Sequence, residues 1–155
     1  MARYSRDGIS FAYPEDWEVS DEEHDGELAV HVQSDSTAFW SLMVTPGKND
    51  PGPILEAAAA ALESEYDEVD RGELDGRSRL AGRPAVGQTI EFVVHELPAL
   101  AEARVCWVDA ETDDARTVFV LSQYADLESE SVEMLLERMT DSLTIESAGD
   151  DVGGL

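Results

Sequence analysis

Three histidines, one cysteine and a large surplus of carboxylates are the side chains with which this 155-residue chain could do chemistry. His24 sits among Glu23 and Asp25, but consecutive residues on a loop do not converge on one ion, so it is read as solvated. His31 and His95 are better placed. Val30 and Val32 flank the first, and Phe92 and Val94 precede the second, so both imidazoles are expected on the less buried face of a sheet. On adjacent strands they would form a paired site. Arg83 joins them as a candidate, because an exposed guanidinium is valuable for recognition on an anionic surface.

Residues 109–115 crowd Asp109, Glu111, Asp113 and Asp114 into one turn. Hard oxygen ligands at that density suit Ca²⁺, and a cation-binding protein built on such acidic loops is the alternative reading. The turn lacks the glycine and the twelfth-position glutamate of an EF-hand, so a solvated hairpin turn is the primary expectation. Cys106, in Arg-Val-Cys-Trp-Val, has no neighbour in sequence that would stabilise a thiolate and reads as a small buried hydrophobe.

Catalysis finds little support in these residues. There is no Gly-x-Ser-x-Gly elbow, and Gly47-Lys48 lacks both the preceding Walker glycine and a following Ser or Thr. Pairs of carboxylates occur so often that none is distinctive. The expectation is a protein that is not an enzyme and needs no cofactor.

Charge is the strongest compositional signal: 35 Asp and Glu against 10 Lys and Arg give a formal net charge of -25. Binding to nucleic acid depends on neutralising phosphates, so a polyanionic partner is excluded, and anionic membranes are disfavoured for the same reason. Lys48 is the single lysine beside nine arginines. Acid surplus with scarce lysine resembles the proteins of salt-accumulating halophiles, where a Debye length of about 3 Å at 1 M salt screens the self-repulsion. The N-terminal residues run into acids without an apolar stretch, and no run approaches the ~20 apolar residues that span a bilayer. A cytoplasmic protein without membrane insertion is expected.

These side chains must be held by a scaffold that the hydrophobic pattern outlines. Asp7-Gly8 marks a first hairpin, and Pro14 ends its second strand. The acidic run of residues 21–27 reads as a solvated loop. Residues 28–33 alternate as a half-buried strand. Residues 39–44, 105–108 and 117–121 are apolar on both parities, which demands cover on both faces. A helix is predicted within residues 49–66, with Pro53 near its first turn and Ile54, Leu55, Ala58, Ala61, Leu62 and Tyr66 on one stripe. A second is predicted over about 128–141, capped by Asp126 or Ser129. Extended segments at 68–74 and 84–95 lie between them, and the acidic turn after residue 108 joins antiparallel neighbours.

The corner Tyr-Pro-Glu-Asp-Trp, residues 13–17, brings Tyr13 and Trp17 together, either as rings folded onto the core edge or as an aromatic lip on a groove. The stretch around it, Phe11, Tyr13, Pro14 and Trp17, resembles the N-terminal signature of the PsbP-like family, whose domains have this length. The closing helix and Asp141 to Glu146 resemble the end of that domain. The resemblance implies the fold of PsbP, Mog, LpqN and DcrB: an α+β protein, with a mostly antiparallel central sheet flanked by helices on both faces, in an α/β/α sandwich. It also implies binding of partners or ions rather than catalysis. The signal and lipobox cysteine of exported members are not read in these residues, so an exported or lipid-anchored role is not expected. One such domain over residues 1–147 is expected, with a flexible acidic tail over 148–155. Its function would be to bind a protein partner or small ligand through the sheet face or the groove beside the corner, using Tyr13, Trp17, His31, Arg83 and His95.

Overall fold

The computed structural model describes residues 1–73, 78–125 and 129–147. Five strands come first: β1 (Ala2–Arg6), β2 (Ile9–Tyr13), β3 (Glu18–His24), β4 (Glu27–Gln33) and β5 (Phe39–Pro46). Helix α1 (Pro51–Glu65) follows, then β6 (Asp67–Glu73), β7 (Arg79–Leu80), β8 (Arg83–Pro84), β9 (Val86–Val94), β10 (Leu97–Val108) and β11 (Arg116–Ala125). Helix α2 (Ser129–Ser142) and β12 (Thr144–Ile145) complete the chain.

Seven strands form one antiparallel sheet in the order β3-β4-β5-β11-β10-β9-β6. Its face built from Val30, Val32, Trp40, Leu42, Val44, Cys106, Val108, Val118 and Val120 is covered by a second sheet, β1-β2-β12, with α2 beside it. Phe11, Ile9, Leu136, Met139 and Leu143 close that core. On the opposite face α1 buries Leu55, Ala59 and Leu62 against Ile90, Phe92, Ala101, Ala103 and Val105. Each leucine so buried contributes about 1.5–3 kcal/mol.

This arrangement corrects the expected α/β/α sandwich. Strand greatly exceeds helix, and the layer that closes the main core is a small sheet. The error began with the doubly apolar segments. In β5 the burial alternates strictly: Trp40, Leu42 and Val44 are buried, Phe39 and Ser41 are half-buried, and Met43 is 38% exposed. A strand with greasy side chains on both faces therefore does not require a helical layer on each.

The turns explain the pairing. Asp7-Gly8 and Asp25-Gly26 both take positive φ at their two central residues, the type I′ geometry that suits the twist of a hairpin. The acidic run 21–27 is accordingly not a loop but the end of β3, a turn and the start of β4. Ala81-Gly82 and His95-Glu96 close two further hairpins in the same conformation. At Gly8 a Cβ would come within 3.1 Å of the Glu146 carboxylate, so glycine fits both the φ of 80° and the space. Strands β3 and β6 are the sheet's outer edges, exposed along almost their whole length. Leu74, Asp126 and the tail at 148–155 lie outside the described residues, and no cap of α2 is described.

Candidate functional site

Helix α1 does not span the face it covers. It packs on β6, β9 and β10 and reaches Phe119 and Leu121 of β11, and among the described residues no helix is packed on the part of that face formed by β5, β4 and β3. Two confluent depressions occupy this side. One, of about 640 Å³, runs along α1 over Phe39, Met43, Phe119, Leu121 and Gln123, with Ala57, Ala58 and Ala61 as its wall. The other, of about 310 Å³, continues across Ala29, His31 and Ser41 to Ser20 and Glu22 on the edge strand. Met43 and Phe119 line both, so they form one trough.

Local sequence dictates this floor. Pairing sets His31 opposite Ser20 and Ser41, and Ala29 opposite Glu22 and Met43. The residues alternating with the buried set therefore all surface here, and they are more apolar than a solvent-washed face requires. His31 sits 5.2 Å from the Phe39 ring, with its Nε2 3.3 Å from Gln33 Oε1. Gln33 in turn donates to the carbonyls of Ser36 and Ala38.

The wall is fixed by directed bonds. Asp50 caps α1 by accepting from the Gly52 N–H at 3.1 Å, with Pro51 in the first turn. Gln88 donates to the Leu55 carbonyl at 2.7 Å. Arg71 on β6 donates to both Glu56 and Glu63, which ties the solvent side of the helix to the sheet edge. Its hydrogen bonds to Glu56 hold that carboxyl below the usual carboxylate range.

The sequence-derived candidates are scattered by the fold. His31 alone lies in the trough. His95 occupies the β9–β10 turn, and β5, β11 and β10 separate β4 from β9, so the two histidines form no pair. Trp17 is buried in the main core, and its N–H donates to the Pro14 carbonyl at 3.1 Å; Tyr13 packs beside Phe11 at 6.1 Å. The Tyr-Pro-Glu-Asp-Trp corner turns the chain between β2 and β3, with Trp17 inside the core shared by the small and large sheets. Arg83 is half-buried, donating to the carbonyls of Ala81 and Ile145 on the α2 side of the sheet.

In the acidic turn, Asp109 is engaged by Arg116 at 3.6 Å and by the Ser147 hydroxyl, whereas Glu111, Asp113 and Asp114 point to solvent. Among the described residues no three His, Cys, Asp or Glu side chains converge as a metal site would require. Cys106 is buried between β10 and the small sheet, and burial, only partly offset by Arg83, pushes its thiol up to about 11. Phe39, Met43, Phe119 and the Ala57, Ala58, Ala61 stripe were missed as site residues. Their signal was present as Met and Phe on the parity opposite the buried residues of their strands.

No family model matches the chain, and no curated protein matches it significantly. The fold is similar to that of a solved protein. LpqN of Mycobacterium tuberculosis, described as involved in cell envelope biogenesis, superposes with a TM-score of 0.54 at 14% identity, over 88% of this chain and 82% of that one. The likeness bears out a related fold for the resemblance carried by Phe11, Tyr13, Pro14 and Trp17, and it does not extend to membership of the PsbP family. Among the described residues no helix is long and apolar enough to cross a membrane.

Proposed function

We propose that this chain is a non-enzymatic, PsbP-like binding module of a halophile-adapted cytoplasm, which takes up a protein partner or small ligand in the trough beside α1. The observation that carries the reading is the contiguous apolar floor of Phe39, Met43, Phe119 and Leu121, half-exposed in a chain otherwise dense with charge. Large apolar side chains grouped in a concavity and rimmed by polar residues mark interaction sites far more often than bare surface. His31 adds a polar group able to fix the orientation of what binds.

Titration with Nile red, a neutral apolar dye, tests this in molar KCl. Met43→Asp places a carboxylate on an already exposed position, so the fold survives while the floor loses its apolar character. Dye fluorescence that rises on the wild type and drops about tenfold or more in affinity on Met43→Asp is the expected result. Equal binding by the two proteins removes the trough as the site.

A further inference from the structure

We infer that the natural occupant of the trough is an amphipathic α-helix from a partner protein, apolar where it meets the sheet and carrying Lys or Arg along its flanks. The inference rests on the trough being a binding surface, as proposed above.

Space is the first argument. Three strands beyond the edge of α1, β5, β4 and β3, at about 4.8 Å spacing leave a shelf roughly 10–15 Å wide among the described residues, and a helix with its side chains is about 10 Å across. One helix therefore fits in the layer that α1 begins. The length agrees as well: strands of seven or eight residues define a shelf matched by a helix about as long as the 15 residues of α1.

The second argument is the shape of the walls. The side of α1 facing the shelf presents Ala57, Ala58 and Ala61, short side chains that let another backbone approach closely. The floor supplies the bulk, with Phe39, Met43 and Phe119 standing ready to interleave with large residues at i, i+3, i+4 and i+7. Met43 suits this role because its unbranched thioether adapts to an incoming surface.

Charge selects the flanks. Among the described residues lining the trough, Glu22 stands on the β3 side and Glu65 at the α1 side, with no Lys or Arg. The Asp21 carboxylate is turned to the other face, held by Tyr4 and Arg6. A fatty acid or anionic headgroup would bring its charge against these rims, whereas an amphipathic helix with basic flanks pairs with both. In concentrated salt such pairs act at contact range and set specificity more than affinity.

Three labelled 18-residue peptides test the inference by fluorescence anisotropy in 1 M KCl, each about 27 Å long when helical. Two share a Leu and Met face, with either Lys or Glu at the flanking positions, and the third keeps the Lys composition but scatters the apolar residues. The Lys-flanked helix is expected to bind at least about tenfold more tightly than either other peptide. Ala61→Arg and Ala57→Arg, which fill the wall, should each weaken it about tenfold, while Ala60→Arg, exposed on α1 outside the trough, should not. Circular dichroism establishes that the variants are folded, as exposed positions allow.

Equal binding of the scattered peptide, equal binding of the Glu-flanked helix, or indifference to Ala61→Arg each overturns the inference. A wild-type dimer in light scattering that Ala61→Arg converts to monomer makes a second copy the occupant and overturns it too. Nile red binding without peptide binding removes the helix but leaves the trough, and loss of both removes the reading on which it rests.

Discussion

Trp40 donates its indole N–H to Thr140 Oγ1 at 3.0 Å, and Thr140 donates in turn to the Leu136 carbonyl at 3.1 Å. Both residues are buried, Trp40 completely, and the Phe11 ring lies 4.5 Å from the indole. This relay joins the large sheet to α2 through polar atoms that have no access to water. Thr140→Val keeps the shape but orphans the indole N–H, which costs about 1–3 kcal/mol. Thr140→Ser keeps the acceptor and should lose less. Urea denaturation in molar KCl measures both, and equal stability of Thr140→Val and wild type would show that the bond contributes nothing.

Cys106 should be inert in the folded protein. Its thiol is buried and is pushed up to about 11 by that burial, so at pH 8 almost no thiolate is present. Ellman's reagent is expected to label it only at the rate of global unfolding, with the rate rising in step with added urea. Fast stoichiometric labelling of the native protein at pH 8 contradicts the assignment.

The link between β1 and β3 makes a pH-dependent contribution. Tyr4 donates to Asp21 at 2.7 Å and Arg6 donates to the same oxygen at 2.9 Å. These bonds, that from Tyr4 foremost, hold the Asp21 carboxyl below its usual value. A depressed carboxyl contributes stability above its unfolded pKa of about 3.9 and loses it as pH falls through the lower folded value. Asp21→Asn should therefore lower Tm at neutral pH and converge with wild type in acid.

Tyr4 shows the opposite sign. Burial first, and then Asp21, push its phenol up to about 12, so its contribution is full below pH 10 and lost as pH rises toward 12. Absorbance at 295 nm should show a late phenol ionisation from Tyr4, and Asp21→Asn should bring it earlier without returning it to 10, because burial remains. A titration curve that Asp21→Asn leaves unchanged argues against the bond.

Salt should act on the whole fold. With a formal net charge of -25, the compact state gains from screening, so thermal unfolding in molar KCl is expected at a clearly higher midpoint than in dilute buffer. An unchanged midpoint removes the halophile reading.

What the sequence disclosed followed its strongest local rules. Asp7-Gly8 announced the first hairpin, the alternation of Leu28, Val30 and Val32 announced β4, and the stripe through Leu55 and Leu62 announced α1. The β9–β10 hairpin stayed hidden because its turn is His95-Glu96, two residues that seldom adopt positive φ and carry no turn signature. The second half of strand β3 was hidden by its charge: Asp21, Glu22 and Glu23 look like a loop, since an edge strand with exposed side chains shows no hydrophobic period. The site was half legible. His31 fell on the correct surface, but the trough depends on how far α1 reaches across the sheet, a tertiary property that no local pattern encodes.

The two rims of the large sheet carry a consequence for crowded solutions. An unpaired strand is a template on which a neighbour's strand can grow, yet β3 displays Glu18, Asp21, Glu22 and Glu23, and β6 displays Asp67, Glu68, Asp70 and Glu73. Lateral fusion of two molecules would seat carboxylates opposite one another at about 5 Å, a distance at which even concentrated electrolyte leaves them opposed. The acids that cost the monomer compactness in dilute buffer therefore keep its ribbons from polymerising where salt has silenced every longer-range repulsion.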